Sequence, residues 1–161
     1  MPQIVVFSVV KGLHNLFSAI WIGGIITLGL TMMPAARNVL GPGPQLKQLM
    51  EAVQRRLSRL IYLSIIVLVV TGMLEARVTP AFQGLFSFGG TYSMVLAIKH
   101  VLVIVMIIVA LYRSLVLGRQ KTSSAAQEKL GKSLMLLNII LGIAILFLSG
   151  MNGALSALPP S

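Results

Sequence analysis

No cysteine occurs among the 161 residues. Its absence excludes disulfides, thiolate metal sites, cysteine-ligated iron–sulfur clusters and covalently attached c-type haem. Any metal chemistry must then run on His, Met, Lys or carboxylate donors. Acids are nearly missing too: Glu51, Glu75 and Glu128 stand against 13 Lys and Arg, a formal net charge of +10. Charged residues make up 10% of the chain, where an ordinary soluble domain carries about 25%. That leaves too little polar surface to face water. What fills the chain is apolar, 57% of residues with a mean hydropathy of +0.95. The length suits one domain with no separate soluble module.

Four apolar stretches predict membrane spans at about 4–33, 58–75, 92–117 and 132–155, since a span needs roughly 20 residues at about 1.5 Å each. Long runs without alternation exclude β-barrel strands. No basic segment precedes the first run, which is too long for the core of a signal peptide, so a retained first helix is expected. Basic residues gather in two connections: Arg37, Lys47, Arg55, Arg56 and Arg59 in the first, Arg113, Arg119, Lys121, Lys129 and Lys132 in the third. The positive-inside rule places both in the cytoplasm and both termini outside. The reading is an all-α, four-helix transmembrane up-down bundle in the plasma membrane. Topology accounts for the basic charge, and with no basic fold module beside it nucleic acid is not expected as a partner.

Within the first connection, Gly41-Pro42-Gly43-Pro44 breaks the chain, and Pro44 suits the first position of a helix. Leu46, Leu49, Met50, Val53, Leu57 and Leu60 then follow helical spacing. A cytoplasmic amphipathic extension over 44–58 is expected, with a Glu51–Arg55 pair one turn apart. It would lie on lipid headgroups or bind a partner. In the outer connection, Pro80, Phe82, Phe86, Phe88, Gly89 and Gly90 read as interfacial anchors or as an apolar lid.

Polar side chains inside spans are costly, so function is sought among them. They are Lys11, His14, Asn15, Thr71, Glu75, Lys99, His100 and Asn138. His14 and His100, the only two histidines, fall on the first and third spans at depths that agree to within about 6 Å. Those helices stand diagonally in an up-down bundle, so two imidazoles could meet at its axis. With no cysteine, the natural occupant of such a pair is haem b, with His14 and His100 as axial ligands. Lys11, three residues before His14, and Arg77 would pair with the propionates. Lys99 would snorkel, pair with Glu75, or ligate in place of His100. Trp21, seven residues after His14, would pack on the cofactor or in the core.

Blander roles stand beside these. An intramembrane histidine more often makes an interhelical hydrogen bond, and Asn138 is expected to bond across helices. Ala19 with Gly23, and Gly142, mark close helix packing. Met73, Met94 and Met151 lie toward the outer side, where thioethers would suit Cu(I), yet methionine is also ordinary apolar filler.

His14 followed by Trp21-Ile22-Gly23-Gly24 and Pro34, then Thr71-Gly72, then Tyr92, Leu96 and Lys99, resembles the copper-resistance D (CopD-like) membrane domain family. The resemblance covers roughly residues 8–115. Ser93 departs from the family's usual Gly, and Gly90 from its frequent Thr. The family looks distantly similar to HemJ-type protoporphyrinogen oxidases. That similarity implies haem b binding, with His14 carried over as an axial ligand and Lys99 as a matching lysine. The Arg-rich continuation after the HemJ tryptophan is absent, which weakens the enzyme reading.

The expectation drawn first is a cytochrome b-like protein passing electrons near the outer face. Its partner would be a quinone, an exported redox protein or a larger respiratory complex. Copper transport or copper handling, the label of the resembled family, is the alternative. A porphyrinogen oxidase and a structural subunit without a cofactor follow.

Overall fold

The computed structural model describes residues 2–78, 84, 86, 88–116 and 124–157. The described residues are helical throughout, apart from short turns. Helix α1 spans Pro2–Ile26, a π-helical segment Thr27–Met32, α2 Met33–Leu40, α3 Pro44–Val78, α4 Thr91–Leu115 and α5 Ala125–Ala157. Four continuous stretches, Gln3–Leu40, Pro44–Arg77, Thr91–Leu115 and Ala126–Ser156, are long and apolar enough to cross a membrane. The protein is a multi-pass membrane protein. Side chains such as Ile4, Ile66, Ile108 and Phe147, between 60% and 77% exposed, are at home against acyl chains. The helices hold their own backbone polar groups satisfied, as lipid requires. The chain forms two compact units, Met1–Glu75 and Ala76–Ser161.

In the first unit the helix does not stop where the apolar run does. The expected boundary at residue 33 gives way to a helix continuing to Leu40, so Arg37 lies on α2 and not in a loop. Pro34 explains how. A proline lacks the N–H for the usual bond, and its ring crowds the carbonyl four residues back, here that of Leu30. The turn before it widens to π geometry, with the Met33 N–H donating to the Leu28 carbonyl five residues earlier. A π turn absorbs the misfit without breaking the helix.

The true break comes at Gly41, where φ is +65° and the N–H donates to the Arg37 carbonyl at 3.0 Å. Positive φ suits glycine just past a helix end. As expected, the next helix begins at Pro44. The extension 44–58 and the second span are one uninterrupted α3 of 35 residues, about 52 Å long. Glu51 and Arg55 pair at 3.4 Å on an exposed surface, an interaction that adds little to stability.

Helices α1 and α3 run antiparallel, since His14 meets Thr71 near one end and Gly24 meets Leu57 near the other. The close approach falls at Gly24, where a Cβ would stand 2.7 Å from Leu57 Cδ1. The sequence pointed instead to Ala19 and Gly23, but nothing approaches a Cβ at Gly23 within 4 Å and Ala19 is exposed.

In the second unit α4 packs along α5. Leu96, Ala97, Met106 and Ala110 are buried on α4, as are Met135, Ile139 and Ile145 on α5. Helix α5 starts seven residues before the expected span, and a reciprocal cap explains the earlier start. The Gln127 N–H donates to Ser124 Oγ at 3.3 Å, and the Ser124 N–H donates to Gln127 Oε1 at 3.0 Å. This Ser-Ala-Ala-Gln capping box satisfies two otherwise orphaned donors. Replacing Ser124 with Ala should cost about 1 kcal/mol, read as faster amide exchange over residues 125–128 with the rest of α5 unchanged. Arg119, Lys121, Pro80 and Phe82 lie outside the described residues.

Candidate functional site

His14 sits in the fourth turn of α1, partly buried, and its Nδ1 lies 2.9 Å from Thr71 Oγ1 on α3. The direction of that bond follows from the other contacts of the hydroxyl. Thr71 Oγ1 is 2.7 Å from the Val67 carbonyl and 3.4 Å from that of Leu68. Carbonyls only accept, so the single hydroxyl proton is committed to its own helix. Thr71 Oγ1 must therefore accept, and His14 Nδ1–H donates. The imidazole is held in the tautomer whose lone pair is on Nε2. This is the arrangement in which a second partner orients a metal-ligating histidine.

Gly72 completes the seat. A Cβ there would lie 3.4 Å from His14 Cε1 and 3.9 Å from Nδ1, ordinary contact for a methyl but leaving no room for a larger side chain on that side of the ring. Glu75 follows Thr71 by one turn on the same helix and Lys11 precedes His14 by three residues, so both stay near the ring in sequence. Glu75 is half-buried and Lys11 exposed.

His100, in the second unit, is oriented by its own helix. Its Nδ1 lies 2.7 Å from the Leu96 carbonyl one turn earlier. The acceptor is again a carbonyl, so Nδ1 carries the proton and Nε2 the lone pair. Phe86 meets the ring edge-on, centroids 6.5 Å apart at 64°. Of the aromatics between α3 and α4, Phe86 thus lies against a histidine, while Phe88 is 72% exposed.

The remaining candidates separate. Trp21 is a core residue, 2% exposed, with an indole N–H that has no partner among the described residues. Lys99 is half-buried and Arg77 exposed. Met73, Met94 and Met151 are about half exposed, whereas Met106 and Met135 are buried filler. Among the described residues no group of three or more His, Cys, Asp or Glu side chains comes together as a metal site. Asn138, expected to bond across helices, is buried with neither amide atom paired among the described residues. The Thr71–His14 pairing spans 57 residues. Sequence reasoning noted both residues but not their bond, because nothing local links them.

The sequence profile of the family described as Copper resistance protein D matches residues 51–151, 101 of the 161. The chain belongs to this family. No curated protein and no solved structure matches the chain significantly. The matched region holds Thr71, Gly72, Glu75, Lys99 and His100, while His14 and Trp21 precede it. Nothing in the match extends to the HemJ-type oxidases, and nothing in it brings haem.

Proposed function

We propose that this protein handles copper in the membrane, with His14 as the ligand that receives the ion as cargo. The observation behind this reading is the Thr71–His14 hydrogen bond. It directs the imidazole lone pair to Nε2, and family membership supplies the metal. Imidazole suits copper, and thioethers select Cu(I); Met73, two residues past Thr71 on α3, lies about 200° around the helix from it, so His14 is the donor at the seat. A passing ion needs binding favourable enough to enter and weak enough to leave. One oriented imidazole meets that need.

The haem b reading ranked first on spacing, and copper now replaces it. The family points to copper, and nothing in the match brings haem. The quinone and respiratory partners belonged to the haem reading and go with it. Purified in detergent, the protein should carry copper by elemental analysis and show no Soret band. A Soret band with a sharp reduced α-band would restore the cytochrome.

The proposed orientation keeps both termini outside, in the plasma membrane, so that His14 faces copper arriving from the exterior. An alkaline phosphatase fused after Ser161 should be active and one fused after Lys121 inactive. The reverse pattern would put the seat on the cytoplasmic side.

A further inference from the structure

One face of α5 carries polar groups that the fold leaves unanswered. Asn138 is 1% exposed and Asn152 7%, and in both amides neither oxygen nor nitrogen has a hydrogen-bond partner among the described residues. The two are 14 residues apart, about 21 Å along the axis and within about 40° of the same face. Gly142, Ile145 and Ser149 lie between them at helical spacing, buried or half-buried. The opposite side is apolar and exposed, with Leu136, Ile140, Ile143 and Phe147. Polar and small residues turned inward are usual in lipid, but they normally find partners there, and these two amides find none among the described residues.

A primary amide offers two N–H donors and a carbonyl acceptor, and burying it unpaired is costly. Two on one face, with Gly142 and Ser149 beside them and Ile145 the one bulky side chain between, make a lining that water satisfies, because each molecule can bridge donor and acceptor. We infer that the buried face of α5 from Asn138 to Asn152 lines a narrow water-bearing path within the second unit. Its occupants are water and small hydrated species such as protons. Neutral hard amides are poor ligands for Cu(I), so the path is distinct from the His14 seat and stands whether or not the copper reading does.

The cysteine-free chain makes the test direct, since each introduced thiol is the only one. Only the thiolate reacts with a methanethiosulfonate, and a thiol in apolar surroundings does not ionise. Single variants N138C, S149C, N152C, I140C and F147C would be treated in proteoliposomes with a charged, membrane-impermeant methanethiosulfonate. Positions 138, 149 and 152 should label at least about tenfold faster than 140 and 147, which face lipid. S149C keeps both asparagines, so it reports even if either amide variant fails to fold. Labelling of S149C no faster than I140C, with both fully reactive after denaturation, overturns the path. In an N138L/N152L background, S149C should slow to the lipid-facing rate; an unchanged rate also overturns it.

Discussion

Replacing His14 with Ala is expected to lower Cu(I) affinity by more than about a hundredfold, beyond what loss of a merely orienting partner costs. The measurement is competition with a chromophoric Cu(I) chelator in detergent, with copper accumulation by proteoliposomes as the transport readout. The variant should remain folded, because the bond it removes is not one that Thr71 needs. The Thr71 hydroxyl proton stays on the Val67 carbonyl at 2.7 Å, so that buried donor keeps its acceptor. Unchanged helical circular dichroism and unchanged elution would confirm that the loss is local. If His14→Ala binds Cu(I) as the natural chain does, the seat is structural and the proposal for it fails. A matching loss in His100→Ala alone would move the ligand to the second unit.

The second large effect is expected at Thr71, which touches no ion in the proposed scheme. Thr71→Val keeps the shape and removes the acceptor, so the His14 Nδ1 proton loses its partner. That bond then no longer fixes the ring's orientation and tautomer, and Nε2 no longer holds the lone pair by default. Partners of this kind are worth about 10–100-fold in metal affinity, and a loss in that range is predicted. Thr71→Ser, which retains the hydroxyl, should recover most of it. A purely packing role for Thr71 predicts the opposite order, with valine tolerated and serine worse. Gly72 gives an independent check. Its missing Cβ would already stand at 3.4 Å from the ring, so the branched side chain of Gly72→Val must push the imidazole aside, with a loss comparable to Thr71→Val.

Much of the fold is legible in the order of residues. The four membrane-length helices follow from runs of apolar residues, and the helix start at Pro44 from the Gly-Pro break before it. The Glu51–Arg55 pair follows from its spacing. Boundaries are less legible wherever a polar device extends a helix beyond its apolar run. The π turn ahead of Pro34 carries the first helix to Leu40, and the Ser124–Gln127 cap starts α5 at Ala125. Hydropathy sees neither. The Ser-x-x-Gln pattern could have disclosed the cap, but nothing discloses the π turn, because proline ends helices as often as it bends them.

Spans and charge sidedness are sums over neighbouring residues, so the amino-acid order alone determines how often this protein is long and apolar enough to cross a membrane and which connections are basic. Which side chains meet is another kind of quantity. It depends on how far one helix is rotated and slid against another, and a shift of one residue turns a face by about 100°. That rotation brought His14 to Thr71, put the close approach at Gly24 in place of Gly23, and buried Asn138 and Asn152 without partners among the described residues. Only the tertiary structure decided those, because packing selects among rotations that composition leaves equal.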